Sequence, residues 1–163
     1  MNNHEVNCEL NSCANELDHV KSLIDNLRIT SNIVPYLTKY AIIRACGTIE
    51  FSFKAVIADY CDHRSKKQVK RFFSRRIRAG SANPSFDNIC KFLNDFDEDW
   101  KKTFKDKINT EPNKSNLLTS LQSLVDARNN FSHGGSPSSS IGDILNYFSH
   151  ARRIIEILDA VIS

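Results

Sequence analysis

Apolar residues in this 163-residue chain recur three and four positions apart in one segment after another, and strand-like alternation bounded by turns is absent. That period belongs to α-helices with one buried face, whereas half-buried strands would show a period of two. The clearest stripe is Ile144, Leu145, Phe148, Ala151, Ile155, Leu158 and Ile162. Ser140 stands just before it and Asp143 follows three residues later, a weaker form of the capping box that starts a helix.

The same reasoning divides the rest of the chain. Glu5 to Leu27 reads as a first helix and Ile29 to Val34 as a connection. Pro35 suits a first helical turn, where its missing donor is harmless. A long helix then runs to about Tyr60, apolar on most sides, and is expected to be the most buried, with Gly47 admitting a close neighbour. Ser65 is a candidate cap for a shorter helix to about Arg78, and Ala79-Gly80-Ser81-Ala82-Asn83 breaks it. Short helices are expected from Pro84 to Phe96 and from Asp97 to Ile108, with Trp100 and Phe104 facing in. Another helix spans Ser115 to about Phe131 and ends in the loop Gly134-Gly135-Ser136-Pro137-Ser138-Ser139. The expected fold is all-α: one domain over residues 1–163, an up-down four-helix bundle with short helices inserted at about 61–112, between its second and third core helices.

An apolar content of 40% is that of a globular chain with its own core. No apolar run approaches the ~18 residues that span a bilayer, and Met1-Asn2-Asn3-His4-Glu5 has neither the basic start nor the apolar core of a secretory signal. A cytoplasmic protein without membrane contact is expected. The cysteines (Cys8, Cys13, Cys46, Cys61 and Cys90) are odd in number and form no Cys-x-x-Cys pair, which fits reduced thiols. His4 and Cys8 lie one helical turn apart, with Cys13 beyond, but paired zinc-ligand spacings are missing. No metal site and no cofactor are expected.

A net charge of +3 is mild, but its distribution is not. Arg64, Lys66, Lys67, Lys70, Arg71, Arg75, Arg76 and Arg78 follow one another with no acid between them. A basic stripe on an otherwise acidic chain fits either a solvated face or a polyanion, and RNA is the reading taken here for Lys66, Lys67, Lys70, Arg71, Arg75, Arg76 and Arg78. The Phe72-Phe73 pair within it reads as core rather than as a base-stacking platform.

One stripe breaks its own rule. Leu117, Leu121 and Leu124 are spaced four and three apart, and the next step of four lands on Arg128. A cation at a core position is costly unless it is paired or reaches a polar cleft. Five residues on, where the helix should end, comes His133. The spacing Arg-x(4–6)-His alone arises by chance about once in a chain of this length, so context carries the weight. His133 by itself also suits a helix end bonding the last carbonyls. Asp126 is two residues from Arg128, which puts it on a different face. Glu50, midway along the apolar helix, either pairs with Arg128 or points outward.

The string Leu121-Gln122-Ser123-Leu124-Val125-Asp126-Ala127-Arg128-Asn129-Asn130-Phe131-Ser132-His133-Gly134 resembles the signature of the HEPN superfamily, an arginine, usually an asparagine, then a histidine after a short gap. Ala45 to Phe51, Asn83 to Ile89 and Phe96 to Trp100 resemble its RiboL-PSP-HEPN branch, in the same order, so that the likeness covers roughly Val34 to the C-terminus. The resemblance implies an all-α bundle, commonly a homodimer with the two motifs meeting across the two-fold. It also implies a metal-independent endoribonuclease of toxin–antitoxin or anti-phage systems, with a cognate antitoxin or defence partner protein. The alternative within the family is a non-catalytic module that binds RNA, a nucleotide or a protein as scaffold or regulatory subunit.

The residue types suit cleavage. A histidine exchanges protons near neutral pH, and the helix C-terminus would favour its protonated form. The arginine fork holds two phosphate oxygens and stabilises charge in the transition state. Asn129 could orient the histidine or bond the substrate. The expected catalytic set is Arg128, His133 and Asn129, supported by Glu50, acting on RNA.

Overall fold

The computed structural model describes residues 1–26, 32–63, 65–132 and 138–162. They form seven α-helices and one π-helical turn, with no strand among the described residues: α1 (His4–Asn26), α2 (Val34–Asp62), α3 (Lys67–Phe72), the π turn (Phe73–Arg78), α4 (Phe86–Phe96), α5 (Glu98–Thr110), α6 (Lys114–Ser132) and α7 (Ile141–Ile162). The all-α expectation is met, and the four longest helices are α1, α2, α6 and α7. Helix α7 packs on α1, α2, α5 and α6, while α2 packs on α1, α6, α7 and the π turn.

The core follows the stripes. Leu10 and Leu17 from α1, Ile42, Ile49, Phe53 and Ile57 from α2, Leu121 and Leu124 from α6, and Ile154, Ile155 and Leu158 from α7 are all buried. Each large side chain so removed from water contributes about 1.5–3 kcal/mol. Helices α4 and α5 dock through aromatic edges: Phe92 on Phe53 with centroids 5.4 Å apart, and Trp100 on Tyr60 at 5.0 Å.

Helix α2 differs from its expectation. It is not wrapped on all sides: Tyr36, Tyr40, Ile43 and Phe51 are exposed along one stripe. Gly47 lies within that stripe, and apart from its own helix backbone no described atom comes within 4 Å of where its Cβ would stand, so within the described residues it admits no close neighbour.

The caps were partly legible. Ser140 and Asp143 form a reciprocal capping box, with the Asp143 N–H donating to Ser140 Oγ at 3.2 Å and the Ser140 N–H to the Asp143 carboxylate at 2.8 Å. Helix α4 is capped by Ser85, whose Oγ accepts from the Asn88 N–H, and not started by the buried Pro84. Ser65 does not cap α3: its hydroxyl donates back to the Cys61 carbonyl at 2.5 Å. The start of α1 is held by the other end of the chain, since the buried Asp159 of α7 accepts from the N–H groups of Asn2 and Asn3.

Candidate active site

Arg128 sits near the end of α6 where the leucine stripe runs out. Leu117, Leu121, Leu124 and Val125 are buried, and the Arg128 side chain emerges 28% exposed. It turns toward α2. Its Nη2 lies 4.0 Å from the Glu50 Oε2, and its guanidinium lies near the thiol of Cys46, one helical turn before Glu50. Burial pushes the Cys46 thiol above its ordinary pKa, and the nearby guanidinium only partly offsets this. Asp126 faces elsewhere, as its spacing requires: it accepts from Gln122 at 2.8 Å and borders a cavity of about 240 Å³ shared with Ser123, Asn130 and Tyr147.

Of the two readings of Glu50, the outward one is excluded by this geometry. Its Oε1 accepts from Lys54 Nζ at 2.9 Å and from the Ala82 N–H at 2.8 Å, while Oε2 faces Arg128. Lys54, buried on the same helix, also donates to the Gly80 carbonyl at 2.6 Å. One carboxylate therefore joins three parts of the chain: α2, the 80–82 segment and the end of α6. Buried charges persist where such partners surround them. Lys54 was not singled out in the sequence, although a Glu and a Lys four apart on an apolar helix are a readable signal of a shared face.

Lys39 is a second residue that sequence reasoning passed over. Its ammonium stands 5.3 Å from the centroid of the Phe131 ring and 5.9 Å from that of Tyr36, close to the end of α6. Lys39, Cys46 and Glu50 thus share the side of α2 that meets α6. Asn129 is half-buried beside Arg128. His133 lies outside the described residues, as do Gly134 to Pro137 of the loop and Arg64 of the basic run.

The basic run divides into two groups. Lys66, Lys67, Lys70, Arg71, Arg75 and Arg76 are exposed. Arg78 is not available in the same way, because its Nη2 bridges Asp59 at 2.5 Å and Asp62 at 3.1 Å on α2. The cause is the π turn. Its bonds join residues five apart, as between the Ala79 N–H and the Ser74 carbonyl at 3.1 Å, and so bring Phe73 and Arg78 to the same side. Both anchor there, Phe73 by stacking on Phe96 with centroids 5.7 Å apart. Gly80 then passes so close that a Cβ on it would meet the Arg76 carbonyl oxygen at 2.4 Å. The end of the basic run is thereby laid against the Lys54–Glu50 pair.

His150 is half-buried, and its Nδ1 hydrogen-bonds the Ser120 hydroxyl at 2.8 Å between α7 and α6. His4 and Cys8 lie side by side at 3.7 Å, but Cys13 is buried against the Arg44 carbonyl. No group of three or more His, Cys, Asp or Glu side chains among the described residues is arranged to hold a metal ion. No described helix is long and apolar enough to cross a membrane.

Residues 9–163 match the family described as RiboL-PSP-HEPN. The match takes in most of α1, which the resemblance read from Val34 onward had left out. Domains of this superfamily act as ribonucleases or as nucleotide-binding modules, and they commonly dimerise and bind RNA. No curated protein and no solved structure matches the chain.

Proposed function

Because this chain belongs to the RiboL-PSP-HEPN family, we propose that it is a metal-independent endoribonuclease whose catalytic groups are Arg128 and His133. The observation that carries this reading is the placement of Arg128. A guanidinium at a core-stripe position is held by Glu50 and Cys46 and keeps part of its surface open at the end of α6, immediately before the segment that carries His133.

In the proposed reaction the Arg128 fork binds two oxygens of the scissile phosphate. One histidine takes the proton of the 2′-hydroxyl, whose oxygen attacks phosphorus. The bond to the 5′-oxygen breaks, and an acid delivers a proton to that leaving oxygen. The products are a 2′,3′-cyclic phosphate and a 5′-hydroxyl. Guanidinium charge near the crowded phosphorane is worth more there than in the ground state. Asn129 orients the histidine or the substrate. Glu50 acts through Arg128 as a positioning residue.

A homodimer supplies the second histidine. The stripe Tyr36, Tyr40, Ile43, Gly47 and Phe51 on α2 supports this reading, since it is exposed, largely apolar and opened by a glycine at its middle. Contiguous apolar faces of this kind are typical of association surfaces. The exposed lysines and arginines of residues 66–76 match phosphates and supply affinity without sequence choice. The biological setting proposed is a toxin or anti-phage effector restrained by a partner protein, which predicts growth arrest on expression and rescue by that partner.

The decisive experiment is incubation with RNA in EDTA. The parent chain should cut it, leaving cyclic phosphate ends, and His133→Ala and Arg128→Ala should not. RNA left intact by all three, with binding retained, would make the chain a non-catalytic module.

A further inference from the structure

The structure separates Phe72 from Phe73. Phe73 is buried against Phe96, whereas Phe72 is 57% exposed at the last position of α3. The two rings meet near-perpendicularly, at 77° with centroids 6.1 Å apart, so the buried ring props the exposed one. Val69, one turn back on the same face, is also exposed. Within six residues along the chain lie the exposed Lys66, Lys70, Arg71, Arg75 and Arg76, none of which makes an ion pair with a described residue.

A lone exposed phenylalanine needs no explanation. This one sits inside a run of cations without an acid, and on a segment whose π turn holds the opposite side down through Phe73 and Arg78. π turns recur at functional sites because they re-aim side chains without ending the helix. Cations alone attract any polyanion, duplex or single strand. A ring adds choice, because only an unpaired base can lay its face on it.

We propose that Phe72, within a run that also carries Lys70, Arg71, Arg75 and Arg76, is a stacking platform for an unpaired base, and that the polynucleotide this surface takes is single-stranded. The inference rests on the RNA-binding part of the reading above and not on cleavage. The cations neutralise phosphates on either side while the base covers Phe72 and the edge of Val69.

The test is fluorescence anisotropy with a labelled unstructured oligouridine and a labelled blunt RNA duplex of equal length, in the His133→Ala background. Phe72→Ala should weaken single-strand binding about tenfold, leave duplex binding unchanged and leave the salt dependence unaltered, because no cation is lost. Phe72→Trp should restore binding, and the melting temperature of both variants should match the parent. Equal single-strand binding by parent and Phe72→Ala would overturn the proposal, as would an equal loss on both probes. Absence of RNA binding together with capture of anionic phospholipid vesicles would overturn it in favour of a membrane surface. Phe72-dependent binding without cleavage by the parent chain would remove only the nuclease reading. Cleavage by the parent with binding indifferent to Phe72 would remove only this one.

Discussion

Arg128 and Glu50 face each other across the α2–α6 junction, with 4.0 Å between Nη2 and Oε2, on side chains that are only 28% and 18% exposed. The contact is long for an ion pair, and Oε1 of the same carboxylate is occupied by Lys54 and the Ala82 N–H. Glu50 therefore meets the guanidinium through its second oxygen, and the Arg128 side chain keeps part of its surface exposed beside it.

That relationship fixes what Arg128 variants should do. Arg128→Lys keeps the charge but not the planar fork. Its turnover should fall by about a hundredfold or more, against about a thousandfold for Arg128→Ala. Single-turnover cleavage rates measure both. Lysine activity equal to the parent would reduce Arg128 to a point charge.

Lys54 is the structural side of the same network. Lys54→Met leaves a half-buried carboxylate with one fewer donor and frees the Gly80 carbonyl, so it should cost about 3 kcal/mol of folding stability. The double variant Glu50→Gln with Lys54→Met should recover much of that loss, since the carboxylate charge that Lys54 balanced is then gone as well. Urea denaturation midpoints of the single and double variants test the coupling.

The α2 stripe makes a separate prediction. Ile43→Asp puts a charge on an exposed position, so the fold should persist while association fails. Sedimentation equilibrium should then report a monomer where the parent is a dimer, and cleavage should be lost with it. A parent that sediments as a monomer, or a variant that cuts normally, contradicts the shared-site arrangement.

Acid should destabilise the protein through identified carboxylates. Hydrogen bonds from Tyr40 and Arg44 hold Glu16 below its ordinary pKa, a hydrogen bond from Arg153 does so for Glu111, and the Ser140 hydroxyl and N–H do so for Asp143. A pKa depressed on folding stabilises above the unfolded value and is lost as pH falls through the folded one. Unfolding free energy should therefore be flat near neutrality and decline below about pH 4. Glu16→Gln should flatten part of that decline in a pH series of urea melts.

The fold class was readable because helix periodicity is local. Stripes such as Ile144 to Ile162 fix which face is buried before any partner is chosen, and the capping box at Ser140 needs only three neighbours. Arg128 was also legible, since a cation at the fourth position of a leucine stripe departs from the pattern that surrounds it. The identity of its partner was not. Glu50 had two readings, and only the packing of α2 on α6 selected one. The division of Phe72 from Phe73, and the withdrawal of Arg78 from the basic run, follow from one π turn that adjacent residue types do not announce.

By itself, then, the sequence determined the helices, their buried faces and the position of the misplaced cation, because each depends on residues within a turn or two. Tertiary structure decided which charges are partnered and which are free. Asp159 reaching the start of α1, Lys54 holding Gly80 and Glu50 meeting Arg128 all join residues distant in the chain. Such contacts arise only when burial forces polar groups to find partners, and the partner is whatever the packed helices bring within reach.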